Sequence, residues 1–295
     1  MTSETITAAA SGTWRLGDLA VRRIGFGAMR LTHLADGSPT DRDRVVSVLR
    51  RAVGLGVNHI DTASFYFSPT RSANELINRA LAPYAEDLVI TTKVGPGRDC
   101  AGRWWWATPG QLRGQVEENL RQLGRDHLDV VNLRVPRRES SGSIAEHFGA
   151  LAELRTAGLI RHLGVSNVRP GHLAEALAIA PVVCVQNPYG IGSPAEDHAF
   201  LDACGRQGIA FVPFFAIAGA GKEAGVVAEE AGQVRAVGEA HGVSAAQVRL
   251  AWTLNRGPHV LAIPGTGNPD HLVENIAAGA LRLTPEEVAL LSALW

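Results

Sequence analysis

Short apolar runs alternate along this chain with longer segments in which apolar residues return every three or four positions. The runs are IGFGAM, HIDTA, LVITTKV, LDVVNLRV, IRHLGVSN, VVCVQNPY, IAFVPFFA and HVLAIPG, eight in all. They carry Val, Ile and Phe, as strands buried on both faces of a parallel sheet do. Between them the period becomes helical, and start and stop signals frame it. In TPGQLRGQVEENLRQLG, Thr108 is the N-cap and Pro109 the first helical residue. Leu112, Val116, Leu120 and Leu123 form one apolar stripe, which Gly124 ends. Ser193 in SPAED and Asn268 in NPDHLVEN open helices in the same way. Glu287 follows Thr284 by three residues, a capping-box spacing. SAAQVRLAWTLNRG is a further helix, with Gly257 past its end.

Eight strand–helix units predict an α/β chain folded as a (β/α)8 TIM barrel, a single domain over residues 13–295. Ahead of the first unit, TWRLGDLAVRR reads as two short strands around Gly17-Asp18, an N-terminal β-hairpin plugging the barrel bottom. Residues 1–12 read as a flexible tail. The runner-up is an open doubly wound sheet. It calls for G-x-G-x-x-G after the first strand, and GFGAMR has only the first two glycines; Asp61 does follow the second strand.

Composition narrows the function classes. A formal net charge of -1, without basic clusters, argues against nucleic acid as a partner. No apolar run is long enough to span a membrane, and the N-terminus lacks the pattern of a signal peptide. Three cysteines give no disulfide framework and point to a reducing, cytoplasmic setting. Cys184 reads as a core thiol, and Cys100 has nothing beside it to make it a nucleophile. The ten histidines show no ligand spacing, so no metal is expected.

In a barrel, chemistry sits at the C-terminal ends of the strands. Those ends present Asp61 after the second strand, Lys93 on the third and Arg134 on the fourth, with Tyr66 in the loop five residues beyond Asp61. A free phenol ionises at about 10, too high for ready proton exchange near neutrality. A neighbouring ammonium stabilises the phenolate, and a carboxylate paired to that ammonium holds it in place. Taken alone, Asp61 with Lys93 reads as a structural ion pair, and the alternative for Arg134 is a wall residue paired with an acid.

NHIDTASFY, ITTKV, LDVVNLRVP, LGVSN, VQNPY and IPGTGN with HLVEN follow one another from roughly Ile24 to Asn275, and together they resemble the aldo-keto reductase family. The resemblance implies a (β/α)8 barrel that transfers hydride between a nicotinamide cofactor and a carbonyl or alcohol. By position, Tyr66 is the general acid, with Lys93 and Asp61 as its tuning pair. Arg134 stands where the family usually has histidine. Arginine cannot relay protons, but it can orient the carbonyl oxygen and stabilise charge developing there. SGTW, GFGAM, GVNHIDT, VCVQN, VPFF and IPGT add a likeness to a bacterial, pyridoxal-reductase-like branch.

The same resemblance implies a cofactor seat. Ser166, Asn167 and Gln186 would meet the carboxamide and Phe214 would stack on the nicotinamide. Gly27, Ala28 and Ile217 would line the groove. Gly265, Thr266, Gly267 and His271 would hold the adenosine phosphate at the helix start near Pro269, and Glu274 and Asn275 the adenine. The expected cofactor is NADPH, with NADH as the alternative because His271 replaces a common arginine. AIAGAGKEAGVVAEEAG reads either as a loop closing on the pyrophosphate, with Lys222 in contact, or as a solvated linker. Met29, Phe65, Trp104, Trp105 and Trp106 are the candidate substrate wall, with the tryptophans as plain packing the alternative. The chain ends at Trp295, just after its last helix, so a pocket more open than that of relatives with a long C-terminal loop is expected. The expected partner is a small carbonyl substrate, and the expected assembly a monomer or small homo-oligomer. The alternatives are a tailoring ketone or enone reductase and a non-catalytic NADPH-binding regulatory subunit.

Overall fold

The computed structural model describes residues 6–33, 40–99, 101–136, 142–217 and 232–294. Lys222 and Cys100 lie outside them. Seven parallel strands form one curled sheet in chain order: Phe26–Gly27, His59–Asp61, Val89–Val94, Leu128–Arg134, Ile160–Ser166, Val182–Gln186 and Ala210–Phe211. The eighth run joins its neighbours by single bridges, Val260 to Phe211 and Ala262 to Ile24, which close the barrel. Backbone bonds carry the seam: Leu261 N–H to Phe211 O at 2.9 Å and Gly25 N–H to Ala262 O at 2.8 Å. Just above, the chain passes so close that a Cβ on Gly265 would stand 2.3 Å from Gly27 O. Only glycine fits there.

The predicted hairpin is present, Thr13–Leu16 paired antiparallel with Leu19–Arg22. Leu16 and Val21 pack with Val89, Val130, Cys184, Ala210 and Leu261 to fill the barrel bottom. Gly17 turns with φ +64°, and a Cβ there would meet the His162 ring at 2.3 Å. Asp18 beside it pairs with Arg161 and bonds His162 Nε2 at 2.6 Å, pinning the plug. Cys184 is buried, as expected of a core thiol.

The helices follow their signals. Thr108 and Gln111 form a capping box ahead of Leu112–Leu123, and Gly124 ends that helix with φ +65°. Thr284 and Glu287 do the same for Pro285–Ser292, and Asn268 caps Pro269–Ala277. Three features differ from expectation. Residues 8–12 are not a loose tail: Ala8–Ser11 is a short 3-10 helix, and the buried Ser11 Oγ accepts Ile24 N–H at 3.0 Å. Ser193 does not cap its helix; Pro194 precedes Ala195–Arg206, and the Ser193 hydroxyl accepts Gly190 N–H at 2.9 Å. Two small hairpins were not foreseen, Phe67–Ser68 with Arg71–Ser72 and Pro96–Arg98 with Trp104–Trp106. Among the described residues no helix is long and apolar enough to cross a membrane.

Candidate active site

Strand register sets the core of the site. Asp61 lies level with Thr91, Lys93 with Asn132, and both Arg134 and Gln186 with Ser166. Asp61 and Lys93 are buried, and Lys93 Nζ meets Asp61 Oδ1 at 2.6 Å. The ammonium also donates to Thr62 O at 3.0 Å and lies 4.9 Å from the centre of the Tyr66 ring. Burial alone would favour neutral Lys93. The Asp61 carboxylate, with Tyr66 adding to it, outweighs burial and holds the ammonium above its ordinary range. Below the pair, His59 Nε2 meets Thr91 Oγ1 at 3.1 Å; burial pushes this imidazole down to about 4, so it stays neutral.

The second Asp61 oxygen is also occupied. Gln186 Nε2 donates to Asp61 Oδ2 at 2.9 Å, and Asn132 Nδ2 donates to Gln186 Oε1 at 3.4 Å. Gln186 thus makes contacts inside the barrel that its expected carboxamide role did not include. Asn132 was missed; its signal was an amide in the middle of the apolar VVNLR.

Arg134 is half-buried. Its Nη1 donates to Ser166 Oγ at 3.3 Å, and its guanidinium lies 4.8 Å from the centre of the Phe214 ring. Among the described residues its partners are a hydroxyl and an aromatic face, and none is a carboxylate. Asn167 takes the left-handed conformation, φ +59°, with its amide donating to Val135 O at 3.1 Å. Such a cost is carried where surrounding bonds hold the residue in place. Ser166, Asn167, Gln186 and Phe214 therefore gather at one end of the barrel, and this set of hydroxyl, amides and aromatic face suits a nicotinamide ring.

Across the barrel mouth, Thr266 Oγ1 accepts Asn268 N–H at 3.0 Å and Asn268 Oδ1 accepts Asp270 N–H at 2.9 Å. Gly265 has no room for a side chain, so no cation can stand there. His271 is exposed, Asn275 buried, and Glu274 accepts from Ser244 Oγ at 3.3 Å. A cation reaches this segment from elsewhere: Arg44 Nε, on the helix Arg42–Gly54, donates to Gly267 O at 3.1 Å. Sequence reasoning had no signal for Arg44, because its contact is 223 residues away. Gly27 and Ala28 are buried beside the seam, and Ile217 packs partly buried against the core.

The model of the aldo/keto reductase family matches residues 23–295. The chain belongs to the aldo/keto reductase family. It is 43% identical over 290 residues to pyridoxine 4-dehydrogenase of Escherichia coli K12, covering 96% of this chain and 98% of that protein. Methylglyoxal reductase YeaE of the same organism is 30% identical over 281 residues, 93% of this chain and 91% of that one. An aldo-keto reductase from Klebsiella pneumoniae, solved in complex with NADPH, superposes with a TM-score of 0.79 at 28% identity, covering 96% of this chain and 94% of that one.

In this aldo-keto reductase an aromatic chain leads from Tyr66 to the surface. Tyr66 and Phe65 meet edge to face at 5.1 Å, and Phe65 meets Trp104 at 5.7 Å. Arg98 lies over Trp104 at 5.3 Å. Side chains alternate along a strand, so Trp104 and Trp106 share a face and Trp105 takes the other. Trp105 lies on Gly97, where a Cβ would come within 2.2 Å of its ring. Trp106 borders a cavity of about 290 Å³ with Gly95, Leu133, Arg134, Ile144 and His147. Trp104 is 57% exposed although it touches Phe65. Met29 begins the short 3-10 turn Met29–Leu31 and is half-buried. Among the described residues, no three His, Cys, Asp or Glu side chains group as metal ligands.

Proposed function

We propose that this reductase reduces a flat heteroaromatic aldehyde of the pyridoxal type to its alcohol with NADPH. The observation that carries this is the buried Lys93–Asp61 pair under the Tyr66 ring. A bound NADPH supplies the hydride for the carbonyl carbon. Tyr66 gives its phenolic proton to the carbonyl oxygen, and the Lys93 ammonium stabilises the phenolate left behind. Arg134 donates a hydrogen bond to the same oxygen and cannot itself lose a proton near neutrality. Ser166, Asn167 and Phe214 seat the nicotinamide. Arg44 places positive charge beside the segment that takes the adenosine phosphate, which favours NADPH over NADH where His271 stands exposed.

Two things support the substrate class. The 43% identical relative is named for oxidation of pyridoxine, an alcohol on a pyridine ring. The wall of Phe65 and Trp104 offers flat apolar faces next to Tyr66. Loss of NADPH absorbance is followed with pyridoxal, methylglyoxal and simple aldehydes. Turnover fastest with pyridoxal is expected. In Tyr66→Phe, NADPH should bind normally while reduction slows by roughly a hundredfold or more, the scale of lost general acid catalysis. Full activity in Tyr66→Phe rejects the role assigned to the phenol.

A further inference from the structure

The Lys93–Asp61 pair is the visible end of a longer chain of buried groups. Cys184 Sγ donates to Asn132 Oδ1 at 3.2 Å, Asn132 Nδ2 to Gln186 Oε1 at 3.4 Å, and Gln186 Nε2 to Asp61 Oδ2 at 2.9 Å. All four side chains are buried. The polarity runs one way, from thiol to carboxylate. An amide has a donor end and an acceptor end, so each flip is set by the group before it. The first donor in the row is a thiol. Burial pushes Cys184 up to about 12, so the S–H keeps its proton across the working range. Asn132 must then turn its oxygen to the sulfur and its N–H to Gln186. Gln186 in turn must offer Asp61 a donor rather than an oxygen.

A glycine makes room for this arrangement. A Cβ on Gly164 would lie 2.0 Å from Asn132 Oδ1 and 2.6 Å from Cys184 Sγ. Any side chain at 164 would displace the first link. A glycine in a strand interior weakens the strand, so this one has a local reason.

We infer that Cys184, Asn132 and Gln186 act as positioning residues that fix the Asp61 carboxylate from its far side, so that its near oxygen holds the Lys93 ammonium under Tyr66. The inference rests on the proton-transfer role proposed for Tyr66. None of the three side chains has to touch the reacting atoms to do this. Each keeps the next in one of two orientations. A reversed Gln186 would aim its carbonyl oxygen at a buried carboxylate, an uncompensated repulsion in a low-dielectric interior.

Position 184 separates this role from simple packing. Apolar packing favours Cys184→Val over Cys184→Ser, because valine fills the space and buries no hydroxyl. A positioning role reverses the order, because only serine still donates to Asn132. We expect Cys184→Ser to keep kcat for pyridoxal within about threefold of the parent. Cys184→Val should lose roughly fivefold to tenfold, and Asn132→Leu roughly tenfold, the scale of losing about one hydrogen bond between neutral groups. If pyridoxal is not turned over, the fastest carbonyl in the panel replaces it. KM, NADPH affinity by fluorescence quenching, and melting temperature are measured on each variant. A fall in kcat at unchanged KM and unchanged NADPH affinity supports the inference, and so does a melting temperature that ranks valine above serine while kcat ranks serine above valine. Equal kcat in Cys184→Val and the parent overturns it, as does a kcat that simply follows stability. Tyr66→Phe is assayed alongside. If that variant is fully active, the reading of the reaction has failed; if it is inactive while Asn132→Leu is unimpaired, only the positioning inference has.

Discussion

Replacing Asp61 by asparagine should unfold this protein more readily than replacing Asp61 and Lys93 together. The reason is burial. Lys93 is 2% exposed, and its ammonium has two oxygen partners, Asp61 Oδ1 at 2.6 Å and Thr62 O at 3.0 Å. Asp61→Asn leaves a buried cation beside a neutral amide. It also puts an N–H2 where two donors, Lys93 and Gln186, both want an acceptor. Breaking a buried pair from one side costs about 3–5 kcal/mol. Lys93→Met alone leaves the carboxylate with Gln186 as its remaining donor, and a similar cost follows. The double variant Asp61→Asn/Lys93→Met carries neither charge, and methionine fills most of the lysine volume. Its loss should be smaller than either single loss, giving a coupling free energy of at least about 2 kcal/mol. Urea unfolding followed by tryptophan fluorescence measures each corner of the cycle. The titrations are run without NADPH, because a ligand that binds only the folded state masks the difference. Purely additive effects, with coupling under about 0.5 kcal/mol, would refute the claim that the pair is electrostatically closed within the barrel.

Three further outcomes are expected. His59 is neutral in the folded state, with its imidazole pushed from 6.5 down to about 4. Above neutrality it is uncharged in both folded and unfolded chains and contributes nothing to pH dependence. As pH falls below about 6.5 the unfolded chain takes up the proton first, so stability declines towards pH 4 by up to roughly 3 kcal/mol; His59→Gln should flatten that decline in unfolding titrations, and an unchanged slope would contradict it. Gly265→Ala places a Cβ 2.3 Å from Gly27 O and should lower stability by about 1–3 kcal/mol, while Gly267→Ala, whose nearest neighbour is 4.0 Å away, should be close to neutral; equal melting temperatures would show that the seam yields. Trp104→Ala removes an exposed ring in contact with Phe65, and steady-state kinetics with pyridoxal should show KM raised about tenfold with a smaller change in kcat.

The local signals in this chain were strong, and they act over only a few residues. Thr108, Gly124, Thr284 and Asn268 frame their helices through bonds to neighbours two to four positions away, so the sequence by itself determined those boundaries. The eight apolar runs with helices between them likewise determined the barrel, because buried parallel strands joined by crossovers have few ways to close. Knowing the barrel, the strand ends named Asp61, Lys93 and Arg134, and the loop named Tyr66. What lay beyond reach was every contact that depends on how the barrel closes. Gln186 stands 125 positions from Asp61, and Asn132 looks from sequence like an interruption in an apolar strand. Arg44 finds Gly267 only because the first helix packs beside the last stave. The run Trp104–Trp106 gave no strand alternation to read, yet it pairs with Pro96–Arg98 and divides its rings between the two faces. Ser193 looked like a helix cap and serves the turn before the helix instead, since the Gly190 N–H lay within reach of its hydroxyl. Propensity and capping are energies of neighbours along the chain. Register across a closed sheet is set by all eight strands at once, and only the tertiary structure decides which buried donor meets which buried acceptor.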